Sequence, residues 1–280
     1  GRSLALAFGE AGAHVAGSMA VLLGLYIFFI RDDLKTSIRV GLLIFFTFVI
    51  FFSDAKQVIL GLLFTFLIFV VIKFFQKNEL NIKLKYIFIT FILFFLLNYS
   101  MQTDFFNTLL AGRNLDNFID AISKKNEVFD IINSNNSFIN FLLGNGPGHT
   151  SSRLAFMIPA YENITPLSFS KREITDIIWT TQQSYFETNT KTGSSLFSLF
   201  FFWGGIYGDV GLLGVLAYII LWINIIKNSN DKDLTFFIVI NILLMGYFYN
   251  WPEEPSYIFL AICIISLLNN SKKYFKDDKV

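Results

Sequence analysis

The sequence predicts an all-α fold: a polytopic membrane helix bundle of about seven transmembrane helices with one large, partly helical extracytoplasmic loop. Three observations carry the prediction. Hydrophobic residues make up 54% of the 280 and charged residues only 15%, where a soluble domain carries about 25% charged residues. The 35 Phe are spread through long apolar runs and are not confined to one core segment. Seven of those runs approach the roughly 20 apolar residues that a helix needs to cross the hydrocarbon core.

In chain order the runs are about 11–30, 38–53, 55–75, 85–100, 195–226, 233–250 and 255–269. Lipid offers no partner to an open strand edge, so each run is expected to be a helix. The second and the last are short and must stand upright or meet a thinned bilayer. Three regions follow: 1–100 with four spans, 101–194 as the extracytoplasmic loop, and 195–280 with three spans and a cytoplasmic tail. The chain opens on Gly1-Arg2 with apolar residues close behind, which reads as the C-terminal part of a longer protein or a trimmed gene model.

Orientation follows from Lys and Arg in the short loops. Arg31, Lys35 and Arg39, then Lys73, Lys77, Lys83 and Lys85, then Lys227 and Lys232, and finally Lys272, Lys273, Lys276 and Lys279 mark alternate loops as cytoplasmic. The intervening loops hold Lys56 alone at 53–56 and no Lys or Arg at 250–256. The N-terminus of this chain is therefore expected outside and the C-terminus inside. Arg2, Glu10, His14, Asp54, Lys56, the long loop, Glu253 and Glu254 then share one compartment. A net charge of +1 gives no reason to expect nucleic acid, and Cys263 as the single cysteine excludes disulfides and cysteine-based metal sites.

A connection as long as 101–194 is usually functional or disordered. Residues 105–132 have helical spacing, with Phe106, Leu109, Leu110, Phe118, Ile119, Ile122 and Phe129 on one face. Phe138–Leu143 forms a second apolar piece that runs into Gly144-Asn145-Gly146-Pro147-Gly148, a tight corner. From 160 to 194 the chain is polar and turn-rich around Trp179, Tyr185 and Phe186; short helices lying across the membrane mouth, plus a mobile polar stretch that could act as a lid, are expected in the long segment.

The strongest motif is Gly144-x-Gly146-Pro147-Gly148-x-x-x-Ser152-Arg153. Glycines let a backbone pass close to a ligand, and an Arg can fork onto a phosphate. A plain turn between helices with a solvated Arg explains the same residues equally well. It is not a P-loop, since no Lys-Ser or Lys-Thr follows the glycines. Asp54 and Lys56 sit in a minimal outer loop; a lone Lys is commonly an interface anchor, but the positive-inside bias opposes one here. His14 and Glu10 at the start of the first span are candidate bases, and an interfacial His is the plain alternative. Gly208-Asp209-Val210-Gly211-Leu212-Leu213-Gly214 breaks the fifth run: packing explains the glycines, while an acid there is either functional or at the outer interface. Glu253 and Glu254, between two prolines, read as a solvated turn ahead of a sugar-hydroxyl site.

Taken in order, these pieces resemble the bacterial O-antigen polymerase and ligase superfamily, in particular Wzy-type polysaccharide repeat-unit polymerases, in their C-terminal portion. Gly9-Glu10-Ala11-Gly12-Ala13-His14 is similar to the family's entry into a span, and Phe52-Ser53-Asp54-Ala55-Lys56-Gln57 to its basic hairpin end. Leu143-Gly144-Asn145-Gly146-Pro147-Gly148 with Ser152-Arg153 is similar to a stretch of the large periplasmic loop, and Ser194-Ser195-Leu196-Phe197 through Gly214 to the re-entry into the membrane. The resemblance implies a GT-C-like, metal-independent glycosyltransferase without cofactors. Its substrates would be undecaprenyl-diphosphate-linked oligosaccharides at the outer face of the bacterial cytoplasmic membrane, with a chain-length regulator as a further partner. Lys56 and Arg153, then Arg113 and Arg2, would hold the diphosphate, with Gly144, Gly146, Pro147, Gly148 and Ser152 shaping the loop. His14, Glu10 and Asp54 are the candidate bases, unranked. Residues 194–207 lack the His that ligases carry before the final glycine motif, which favours polymerase over ligase. A transporter or flippase for lipid-linked sugars is the competing class, and it would need charges deep in several spans, where these runs are almost bare.

Overall fold

The computed structural model describes residues 12–31, 33–52, 56–76, 115–161, 172–188 and 198–277. Among them every regular element is helical and none is a strand. The helices are α1 (Gly12–Ile30), α2 (Thr36–Phe52), α3 (Lys56–Gln76), α4 (Leu115–Asn135), α5 (Phe138–Leu143), α6 (Arg153–Tyr161), α7 (Glu173–Thr188), α8 (Phe202–Asn228), α9 (Lys232–Phe248) and α10 (Pro255–Asp277), with a 3₁₀ turn at Trp251–Glu253 before α10. The apolar runs at 11–30, 38–53, 55–75, 233–250 and 255–269 coincide with α1, α2, α3, α9 and α10, the last continuing eight residues further. The run at 85–100 lies outside the described residues. By length and composition α8 is long and apolar enough to cross a membrane, and shorter apolar helical stretches occupy Val15–Phe29, Thr36–Phe46 and Pro255–Asn269.

The chain forms two compact units. One gathers residues 1–114, 228–241 and 259–280, and the other 115–227 and 242–258. In the first, α1 lies along α2 with Gly24 at the approach; a Cβ there would stand 3.1 Å from Phe46 Cβ. Leu22 and Tyr26 are buried on α1, and Val58, Thr65 and Val70 on α3. Two of its buried polar side chains are paired with each other: Thr65 Oγ1 donates to Gly61 O at 2.7 Å and accepts from Asn241 Nδ2 at 3.0 Å. Phe69 packs edge-on against Phe237 with ring centres 5.7 Å apart.

In the second unit a core of Val128, Ile132, Ala155, Ile174, Ile178, Leu199, Phe200 and Phe201 joins α4, α6, α7 and the strand-free segment before α8. The buried stripe of α4 is Ala121, Lys125, Val128 and Ile132, spaced at helical intervals. Of the face expected from sequence, the burial of Ile122 and Phe129 is described: both are half-buried, and Phe129 packs against this core. Lys125 lies in the buried stripe despite its charge. Its ammonium donates to Ser198 O at 2.8 Å and stands 4.8 Å from the centre of the Phe201 ring, so the methylene stem is buried as apolar surface.

Residues 173–188, in the segment where short helices and a mobile stretch are expected, form a docked helix. Glu173 and Asp176 place negative charge in its first turn, where the helix dipole favours it. Ile174, Thr175, Ile178 and Gln182 are buried, and Trp179 stacks on Phe156 at 5.3 Å. Gln182 Oε1 accepts the Leu199 N–H at 2.8 Å. Residues 162–171 and 189–197, and the side chains of Tyr185 and Phe186, lie outside the described set. The fifth apolar run is corrected in its bounds. Its helix opens at Phe202, not near 195, and Gly211 (φ 72°) interrupts it, leaving a short first piece and a longer second one.

Candidate functional site

The glycine motif folds as a fixed platform within the second unit. Ser137 caps α5 by accepting the Asn140 N–H at 3.2 Å, and Gly144 (φ 83°) ends the helix by donating to Asn140 O at 2.7 Å. Gly146 (φ 96°) and Gly148 (φ 78°) take the same left-handed backbone, which side chains rarely adopt. The loop then runs against the first piece of α8. Asn145 N–H donates to Gly208 O at 2.8 Å and Gly146 N–H to Asp209 O at 3.0 Å. Asn145 adds three side-chain bonds, to Gly208 O, Asn136 Oδ1 and Asn140 Nδ2, at 3.1, 2.7 and 2.9 Å.

Asp209 is the centre of this arrangement. Its carboxylate, on a residue only 6% exposed, accepts from Gly148 N at 2.6 Å, His149 N at 3.2 Å and Thr150 Oγ1 at 2.6 Å. Three converging donors compensate a charge that would otherwise be costly to bury. The approach is possible because α8 is bare on that side. A Cβ at Gly208 would run into the Thr150 side chain, one at Gly205 would lie 2.6 Å from Ser152 Cα, and one at Gly211 would lie 2.5 Å from Gly144 N. The glycines of 204–211 thus pack against the loop, small residues on small residues. The backbone N–H groups of 145, 146, 148 and 149 already have acceptors on α8, so the close approach that the glycines permit is made here by the protein's own helix.

The platform ends in Arg153, the first residue of α6, behind the capping Ser152 whose hydroxyl accepts the Ala155 N–H at 3.2 Å. Two carboxylates of the turn before α10 meet it. Glu253 Oε2 accepts the Arg153 N–H at 2.5 Å, and Glu254 Oε1 pairs with the Arg153 guanidinium, whose Nε also faces Met157 Sδ at 3.4 Å. Glu253 is largely buried, and that burial pushes its carboxyl up to about 7. Asp209 pushes in the same direction, while the Arg153 N–H and the Arg153 charge oppose it. The acidic pair is therefore not a solvated turn, the reading its prolines suggested: it clamps the end of the glycine motif.

The structure brings Gly144, Gly146, Pro147, Gly148, Ser152 and Arg153 together in one platform. Arg2, Glu10, Asp54 and Arg113 lie outside the described residues; His14 and Lys56 fall in α1 and α3, with side chains outside the described set. Sequence reasoning did not name Thr150, and it did not join Asn145, Glu253 and Glu254 to the platform as its partners. The available signal was the match of two small-residue runs, Thr150-Ser151-Ser152 and the glycines of 204–211. Among the described residues no group of three or more His, Cys, Asp and Glu is placed to hold a metal ion. Comparison of the chain with protein-family models, curated proteins and solved structures gives no match in any of the three.

Proposed function

We propose that this chain, with about seven spans, is part of a bacterial membrane glycosyltransferase that polymerises undecaprenyl-diphosphate-linked repeat units into O-antigen, capsular or exopolysaccharide chains. The supporting observation is the glycine motif itself: the residues that resemble the family's periplasmic loop fold into one braced platform that ends in Arg153. The membrane reading is supported by large apolar side chains that face outward on the long helices. Phe29, Phe45, Leu213, Ile220, Leu221 and Phe259 are all exposed, which suits lipid and does not suit water.

In this reading 101–194 and the turn 250–256 lie outside the cytoplasmic membrane, and the N-terminus of the chain is outside and the C-terminus inside. The donor is a glycan bonded through its reducing sugar to a lipid diphosphate. The acceptor hydroxyl bonds to that sugar carbon, the carbon–oxygen bond to phosphate breaks, and the diphosphate leaves with the electron pair. Its added negative charge calls for fixed cations, which stabilise the transition state more than the ground state. Arg153, Lys56, Arg113 and Arg2 are the proposed cations, and His14, Glu10 or Asp54 takes the acceptor proton.

The test is glycan laddering in a polymerase-null host complemented with the full-length gene, against Arg153→Ala and Lys56→Ala. Restored ladders, lost in either variant at normal protein level, support the reading. Rescue of a ligase-null host instead makes the protein an O-antigen ligase that transfers glycan to the lipid A core. Movement of lipid-linked units across the membrane without linkage makes it a flippase.

A further inference from the structure

The outward side of α5 is apolar. Phe138, Ile139 and Leu143 are 75%, 66% and 61% exposed, while Phe141 turns inward and packs edge-on against Tyr207 of α8 with ring centres 6.2 Å apart. The residues just before the helix, Asn133, Ser134, Asn135 and Ser137, are exposed and polar. Three large apolar side chains left open on a six-residue helix do not suit water.

α5 is fastened at one level of α8. A Cβ at Gly211 would lie 2.5 Å from both Leu142 C and Gly144 N, and one at Gly144 would lie 2.4 Å from Val210 N. The N–H groups of Asn145 and Gly146 add their bonds to Gly208 O and Asp209 O. That level is where α8 changes character. From Leu212 to Ile226 it carries no charged residue until Lys227, and Leu213, Leu216, Ile220, Leu221 and Ile223 are exposed along it. These 15 residues span about 22 Å, against about 30 Å of bilayer hydrocarbon. For an upright helix, about 8 Å of the apolar layer then falls on the Asp209 side of Gly211. There the first piece of α8 turns Phe202, Gly204, Gly205, Gly208 and Asp209 into the protein, and Val210 is its one exposed residue. The apolar surface at this level is completed by α5, whose Leu143 stands beside the Gly144–Val210 contact.

We infer that α5 lies in the outer boundary of the bilayer, with Phe138, Ile139 and Leu143 against lipid acyl chains. The inference rests on the membrane reading above and refines it: one short helix of the segment 101–194 enters the lipid surface. The occupant of this face is hydrocarbon, because the face adjoins the exposed side of the helix that is long and apolar enough to cross a membrane.

The test is the depth of spin labels on the full chain in nanodiscs of phosphatidylethanolamine and phosphatidylglycerol. Labels are attached through Ile139→Cys, Leu143→Cys, Asn135→Cys and Ile220→Cys, each combined with Cys263→Ala. Depth is read from collisions with oxygen, which concentrates in hydrocarbon, against those with a nickel chelate, which stays in water. The Ile139 and Leu143 positions are expected to favour oxygen and to lie about 5–10 Å inside the boundary of headgroups and acyl chains. Ile220 is nine residues past Gly211, about 13 Å along the helix, and should lie deeper; Asn135 should favour the chelate. Thermal unfolding checks each variant, and Phe138→Cys replaces either α5 position that does not fold. If the α5 labels favour the chelate while Ile220 favours oxygen, the inference falls and the membrane reading stands. Labels on α5 shielded from both reagents mean that protein covers the face, a second copy or another part of this chain, and overturn it too. If Ile220 also favours the chelate, both readings fall.

Discussion

Replacing Asp209 by Asn tests whether the glycine platform is held as described. The two carboxylate oxygens divide three donors: Oδ2 takes Gly148 N at 2.6 Å, and Oδ1 takes His149 N at 3.2 Å and the Thr150 hydroxyl at 2.6 Å. Asparagine keeps the shape but turns one oxygen into an amine that faces a donor. With its oxygen placed toward Thr150, Gly148 N is left buried without an acceptor, and the remaining two bonds lose their charge. Charged hydrogen bonds contribute about 1.5–3 kcal/mol and an orphaned buried donor costs about 1–3 kcal/mol, so the net loss is about 2–4 kcal/mol. The loss is local to the loop, so the assay is amide hydrogen exchange on the protein in detergent, read at Gly146–Thr150. At about 1.4 kcal/mol per decade, exchange there should quicken by roughly 30- to several hundredfold, while the amides of α4 stay protected. Protection at Gly148 and His149 within about twofold of wild type would refute the reasoning, and would mean that Asp209 does not organise the loop.

Three further outcomes follow from the same geometry. Gly205→Ala puts a Cβ 2.6 Å from Ser152 Cα and 2.9 Å from Glu253 Oε1, where backbone must move; a loss of about 1–3 kcal/mol or more is expected in thermal unfolding, against little for Gly41→Ala, which has open space. Glu253 is raised to about 7 from 4.5, so the folded state holds a proton that the unfolded state has released between those values. Stability should therefore fall as pH rises from about 4.5 to 7 and then level off, and Glu253→Gln should flatten that window; an unchanged slope in the variant refutes the assignment. Lys125 is lowered to about 7 from 10.5 by burial, so the unfolded chain binds the extra proton between those values and stability should rise with pH across them. Lys125→Met, measured by unfolding at pH 7 and pH 9, should remove that rise, and a rise that persists assigns it to another group.

The sequence was most legible where hydrophobic pattern alone decides structure. The apolar runs predict α1, α2, α3, α9 and α10 to within a few residues at their starts, and Phe138–Leu143 is a helix closed by Gly144 as the corner glycines suggest. Legibility failed where a tertiary partner overrides local character. Lys125 belongs to the core because Ser198 O and the Phe201 ring receive it, and neither is visible from the neighbourhood of residue 125. The polar run around Thr180 and Gln182 conceals a docked face among its few apolar residues, completed by Gln182 bonding to Leu199 N. The candidate site was half legible. Its glycine motif and Arg153 stood out by composition, but the acids that organise them are 56 and 100 residues away in sequence from Arg153, at Asp209 and Glu253. Glycine loops suggest a ligand, and here the close approach that the glycines permit is made by the protein's own helix.

The account's central claim is linkage formation on a lipid diphosphate, and its most direct test is turnover by the purified full-length protein in liposomes. Lipid-linked repeat units supplied on the outer face would be followed by mass spectrometry of the glycans and by release of polyprenyl diphosphate. The account predicts products at whole multiples of the repeat unit, one diphosphate released per new linkage, and loss of both in Arg153→Ala. Single units that stay intact beside a folded wild-type protein, with no diphosphate released, would contradict it.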